Sequence, residues 1–186
     1  MSDWYTELDS TLDQVWQLLG RAIRDPKSPL RTPVMATVGV DGAPDARVVV
    51  LRSATRSAGA LEVYTDRRSK KVKDLESCPS VTICAWLPKA DLQVRIKSLG
   101  TIASGSEVLP LWQSMSETAR RVYGGVPAPG MLLAHPSAFG IRPDPADLAV
   151  LRFAISEIET LHLGREMHRR ARFQRDNAWA GAWCAP

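Results

Sequence analysis

The sequence predicts a mainly β protein: a six- to seven-stranded antiparallel barrel with peripheral α-helices. Three observations predict it. Short apolar runs rich in Val, Ile and Thr recur between turn residues, the pattern of hairpin-linked strands. Thirteen prolines spread through 186 residues argue against an all-helical chain. Only a few stretches carry helical periodicity. Closing the strands into a barrel removes their exposed edges. The length fits one domain over residues 1–186, with an N-terminal helix in 1–25 and a barrel with inserted helices in 32–186.

Leu8, Leu12, Val15, Trp16, Leu19, Ala22 and Ile23 recur at three- and four-residue steps, so the chain opens with an amphipathic helix. It stops before Pro26, because the residue ahead of a proline disfavours the helical region. VMATVGV and ARVVVL flank Asp41-Gly42 and read as a hairpin. ARVVVL is apolar at consecutive positions, which predicts one strand covered on both faces. ALEVYT is a third strand, ending in Tyr64 and Thr65. SKKVKDLE is a short helix with Ser69 as its N-cap. VTICAWL and the alternating LQVRIKSLGTIAS follow as strands. Ser106 to Gly124 reads as one helix, and Val126 to Pro145 as a proline-rich loop. LRFAISEIETLHL is a sixth strand, GREMHRRARFQRDN a basic tail, and AWAGAW a last strand.

Apolar content of 45% and charged content of 24% are ordinary for a globular protein. A chain of this size buries roughly 70% of its unfolded surface. Six tryptophans suggest cavities or interfaces lined by large rings. Cys78, Cys84 and Cys184 are odd in number and form no C-x-x-C, which points to neither a disulfide framework nor zinc. The acidic, polar start MSDWYTELDS is unlike a secretory leader, and no apolar run reaches about 18 residues. A cytoplasmic protein without a membrane partner is expected.

Net charge is +4, and the basic residues cluster: Arg67, Arg68, Lys70, Lys71 and Lys73 lie together. Lys70 and Lys71 open a helix, where backbone dipoles already place partial positive charge. Cations there make sense if an anion, most simply a phosphate, sits on that end. The phosphate could belong to a nucleotide cofactor or to nucleic acid. RRSKKVK contains no aromatic residue on which a base could stack, so the cofactor is favoured and no nucleic-acid partner is expected. Arg67, Arg68 and Lys73 read as a solvated face. By residue type alone, Arg47 and Arg52 read equally as strand-end arginines reaching solvent. His135 and His162 lack partners at metal or triad spacing and read as structural, so no metal site is expected. No nucleophile motif such as G-x-S-x-G occurs.

From about Thr32 to Pro186, the order of R-V-V-V-L-R, Y-T-D-x-x-S-K-K, Q-V-R-I and H-x-R…F-Q-R…W…A-P resembles the pyridoxamine 5'-phosphate oxidase family of flavoproteins. The resemblance implies a split barrel that forms a homodimer and binds flavin mononucleotide (FMN) at each side of the subunit interface. It implies that Arg47, Ser69, Lys70 and Lys71 hold the cofactor phosphate. Val48, Val49, Val50, Tyr64, Thr65 and Gln93 would lie along the flavin, and Arg170 would belong to the shared site. Arg52 and His168 take positions that face substrate in the family.

Three departures fall on the substrate half. Glu166 stands where the family has a substrate-binding arginine. Leu111, Trp112 and Met115 occupy a helix that in the family carries phosphate ligands. Arg52 replaces a lysine, offering an anion a planar fork instead of a point charge. A flavin-binding tryptophan of the family is also missing near Thr160 or Leu161. The expected function is an FMN-binding oxidoreductase with a substrate other than pyridoxamine phosphate. The alternatives are a flavin-storing or flavin-sensing module without turnover, and a true pyridoxamine/pyridoxine 5'-phosphate oxidase.

Overall fold

The computed structural model describes residues 3–186. Helix α1 (Leu8–Ala22) forms as its periodicity predicts and buries Leu12, Val15, Trp16, Leu19 and Ala22. Strands β1 (Val34–Val38) and β2 (Pro44–Val48) make the expected hairpin. Gly42 sits in its loop at φ +79°, a conformation that favours glycine. Strands β3 (Leu51–Thr55) and β4 (Ala60–Asp66) form the next hairpin, followed by α2 (Lys70–Ser77). Then come β5 (Ser80–Leu87) and β6 (Leu92–Ser104), helices α3 (Leu109–Ser114) and α4 (Glu117–Arg120), and the short β7 (Gly125–Val126) and β8 (Gly140–Ile141). The chain closes with β9 (Leu148–Leu163), β10 (His168–Gln174) and β11 (Gly181–Cys184).

The ladder runs β2-β1-β5-β6-β9, and β9 divides its far edge between two partners. Leu148–Ala154 pairs with β4, while Glu157–Leu163 pairs with β10. A register shift between Lys97 and Ser98 of β6 lies at this changeover, where an extra residue lets a long strand bend from one partner to the next. The barrel closes through the chain itself, since β3 follows β2 and pairs with β4. Its core contains Met35, Leu61, Val63, Ile83, Val94, Ile96, Leu151 and Phe153, with α1 packed against it over β3 and β11. A second cluster gathers Val108, Trp112 and Tyr123 on Ala103, Leu148 and Val150.

Four expectations need correction. ARVVVL is not one strand: Val49 turns its N–H to Pro33 O at 3.0 Å, and the break between β2 and β3 carries the chain from one ladder to another. Arg47 and Arg52 therefore lie on different strands. Val48 is not covered on its face; it is 63% exposed, in register with the exposed Val34.

The single helix from Ser106 to Gly124 is broken. Met115 is extended, and Ser116 caps a new helix by accepting the Ala119 N–H at 3.2 Å. The basic tail contains β10, whose buried Ala171 and Phe173 alternate with polar neighbours. Ser69 holds the N-cap position of α2 but makes no side-chain cap; its Oγ lies 3.4 Å from Thr65 Oγ1.

Candidate cofactor-phosphate site

Thr65, at the end of β4, and Ser69 and Lys71, at the start of α2, come together as the motif order implies. Lys71 Nζ donates to Thr65 Oγ1 at 3.1 Å. No ion pair involves Lys71 among the described residues, although it is half-buried. Burial pushes its ammonium below the usual lysine range, and the nearby Arg47 guanidinium pushes the same way. With Ser69 uncapping, the first turn of α2 also lacks a side-chain acceptor.

Arg47 and Lys70 are placed differently. Arg47 Nη1 donates to Thr37 Oγ1 at 2.6 Å, and Nη2 reaches Asp74 Oδ2 at 3.2 Å and Asp45 Oδ2 at 2.6 Å. Lys70 Nζ meets Asp45 at 2.9 Å and Asp74 at 3.1 Å, and these hydrogen bonds raise its pKa. Asp74 is fully buried and also accepts from Thr37 Oγ1 at 2.9 Å. The hydrogen bond from Lys70, aided by Arg47, holds Asp45 below the usual carboxylate range.

Thr37, Asp45 and Asp74 escaped the sequence reading. The one legible signal was the i,i+4 spacing of Lys70 and Asp74. The site nevertheless fits a phosphate: Lys71 is a desolvated cation with no carboxylate in contact among the described residues, and Arg47 works against the more distant Asp66, Asp45 and Asp74 in its field.

The remaining expected residues divide into two places. Tyr64, one residue from Thr65, points to the opposite face of β4. There Arg52 lies 5.9 Å from its ring centroid, with Arg52 Nε buried and unbonded. Burial raises the pKa of Tyr64 and of the adjacent Tyr123, so both phenols stay protonated donors. Val49 is buried and Val50 half-buried at the bend between β2 and β3.

Gln93 lies opposite Leu161, which lies opposite Arg170, two strand spacings or about 10 Å across the sheet. Arg170 donates to both oxygens of the buried Glu159 at 3.0 Å, and Arg95 pairs with the same carboxylate at 2.9 Å. Within its own chain Arg170 is thus committed to Glu159. His168 opens β10 beside a cavity of about 410 Å³ lined by Thr6, Met167, Arg169, Arg170, Trp183 and Cys184. His162 is packed, as expected: its ring stacks on Tyr5 at 4.2 Å, with Trp4 edge-on at 5.6 Å.

An antiparallel barrel that brings Thr65, Ser69 and Lys71 together at a helix start defines the class: a small β-barrel with a basic helix N-terminus. The family follows from comparison. Residues 4–104, more than half of the chain, match the pyridoxamine 5'-phosphate oxidase, FMN-binding domain, and the chain belongs to that family. A pyridoxine/pyridoxamine 5'-phosphate oxidase of Anaeromyxobacter dehalogenans is 28% identical over 152 residues, 82% of this chain and 66% of that protein. The corresponding oxidase 2 of Arabidopsis thaliana is 34% identical over 62 residues, 33% of this chain and 31% of that protein. The matches thus span less than two thirds of either relative's length.

Among solved structures, a pyridoxamine 5'-phosphate oxidase-related, FMN binding protein from Nostoc punctiforme superimposes with TM-score 0.77 at 24% identity, covering 100% of this chain and 99% of that one. PhzG from Burkholderia lata, solved with tetrahydrophenazine-1-carboxylic acid, gives 0.76 at 20% identity, covering 100% and 98%. The fold is therefore the mainly β split barrel that the motifs implied.

Proposed function

We propose that this chain is an FMN-dependent oxidoreductase whose substrate is not pyridoxamine phosphate. The observation that carries this is Lys71, half-buried at a helix start, with a hydroxyl as its polar partner and no carboxylate. Lys71, Ser69, the first turn of α2 and the Arg47 side would hold the phosphate. Gln93 and the Val48–Val50 backbone would lie along the ring, Thr65 would orient Lys71, and Tyr64 would border the substrate side with Arg52. When bound, FMN would supply the hydride or electron chemistry, which no side-chain constellation here provides.

Arg52 and His168 are the candidate substrate contacts. A single guanidinium with two protonated phenols nearby suits a carboxylate held in a planar fork. The whole chain would act as one domain in a cytoplasmic homodimer, with Arg170 serving the partner's flavin. Val34, Val48 and Trp86 leave apolar surface on the outer face of the sheet, consistent with a second copy covering it. Among the described residues no helix is long and apolar enough to cross a membrane.

The absorption spectrum of the purified protein tests the cofactor. Flavin bands with FMN released on heating are expected; a haem or deazaflavin spectrum would overturn the proposal. Equilibrium sedimentation should give twice the 20.4 kDa chain mass. A monomer alone at micromolar protein would remove the role given to Arg170.

A further inference from the structure

We infer that Asp45 competes with the flavin phosphate for Arg47 and Lys70, and so sets how loosely the cofactor is held. The inference rests on the phosphate site proposed above and adds a residue to it. Both terminal nitrogens of Arg47 already have acceptors: Thr37 on Nη1, and Asp74 and Asp45 on Nη2. Lys70 is shared between the same two carboxylates. Arg47, Lys70 and Lys71 against Asp45 and Asp74 leave one net positive charge, whereas a phosphate monoester carries about −1.5 to −2 near neutral pH.

The two carboxylates are not equivalent. Asp74 is fully buried on α2 and accepts from Thr37, Arg47 and Lys70, so it cannot leave without stripping all three of an acceptor. Asp45 sits on β2, which among the described residues pairs only with β1, and its side chain is 34% exposed. It can swing into solvent at little cost. Asp74 is therefore a fixed positioning residue for Arg47, and Asp45 a displaceable stand-in for an anion. The Lys70 hydrogen bond keeps Asp45 ionised through the neutral range, so the competition does not fade at working pH. A flavin held against such a competitor exchanges more readily than one meeting free cations.

The test is titration of flavin-stripped protein with FMN and with riboflavin, followed by flavin fluorescence quenching. The proteins are wild type, D45N, K71A and, as a control for net charge, D13N at a distant surface pair. D45N should tighten FMN by about three- to fivefold, the scale of one partly exposed charge pair, and leave riboflavin unchanged. D13N should change neither ligand.

If K71A weakens FMN but D45N leaves it unchanged or weakens it, this inference fails and the phosphate site stands. A weaker D45N would mean that Asp45 orients Arg47 instead of competing for it. If K71A leaves FMN unchanged, the phosphate site fails and this inference falls with it, whatever D45N does. Tightening of riboflavin by D45N equal to that of FMN also overturns it, since riboflavin has no phosphate to compete.

Discussion

Lys70 and Lys71 are adjacent in the chain and of one residue type, yet the fold gives them opposite environments. Lys70 reaches back to Asp45 and Asp74, and its pKa is raised. Lys71 turns under the end of β4, meets Thr65, and has its pKa lowered by burial. One is a satisfied surface cation, the other a half-buried cation with no ion pair among the described residues. A basic run is thus not a uniform patch; ligand affinity concentrates where the charge is desolvated and uncompensated.

The same contrast separates the two ends of the site. The Ser69-Lys70-Lys71 pattern that the resemblance links to a cofactor phosphate is kept. Where the resemblance implies substrate-phosphate ligands, Leu111 and Trp112 on α3 and the extended Met115 after it pack into the second apolar cluster. Arg120 lies over Trp112 and donates to the carbonyls of Trp112 and Gln113, so it too is used for structure.

The largest expected effect breaks or upholds this contrast. Losing two or three charge-assisted contacts should make pyridoxine 5'-phosphate about 10²–10⁴-fold poorer than for an ordinary oxidase. Formation of pyridoxal 5'-phosphate by FMN-loaded protein under oxygen checks it. Turnover near about 10 s⁻¹ would mean that the substrate end binds phosphate after all.

Next comes the lysine pair itself. Lys71→Ala should weaken FMN by roughly 1.5–3 kcal/mol, about 10- to 150-fold, with riboflavin unaffected. Lys70→Ala should cost FMN less than about fivefold, because its carboxylates already neutralise it. Equal losses in a fluorescence titration would erase the distinction.

The smallest effect sharpens it through stability. A lysine whose folded pKa is depressed binds fewer protons folded than unfolded, so its contribution to stability rises with pH between the folded pKa and 10.5. Below that window the charged, half-buried Lys71 opposes folding. Lys71→Ala should therefore raise the melting temperature of the flavin-free protein at neutral pH by about 1–4 °C. Lys70 has the opposite sign: its raised pKa supports folding below 10.5, and that support is lost as pH climbs through the higher folded value. Lys70→Ala should lower the neutral-pH midpoint slightly. A calorimetric scan of both variants without flavin measures the difference, and a destabilised Lys71→Ala would show that Thr65 and Asp66 compensate this amine.

Much of the fold was legible because it is written in local periodicity. The α1 stripe, the Asp41–Gly42 turn and the alternation of β6 each act over a few residues, and each formed as read. Strand β10 was hidden because its arginines outnumber the two inward residues, Ala171 and Phe173, that define it. The helix across Ser106–Gly124 was over-read because the capping strength of Ser116 is as local as the periodicity it interrupts.

By itself, the sequence determined most of the strands, the first helix, the helix start at Lys70–Lys71 and the family to which these motifs belong. All of these depend on neighbours along the chain. Only the tertiary structure decided which cations are free. Asp74 lies 37 residues from Thr37 and 27 from Arg47, and the β1–β2 hairpin and α2 must dock before those side chains meet. The same docking buries Lys71 beside Thr65 while Lys70 stays exposed, because consecutive residues on a helix point about 100° apart and only one of them can face the barrel.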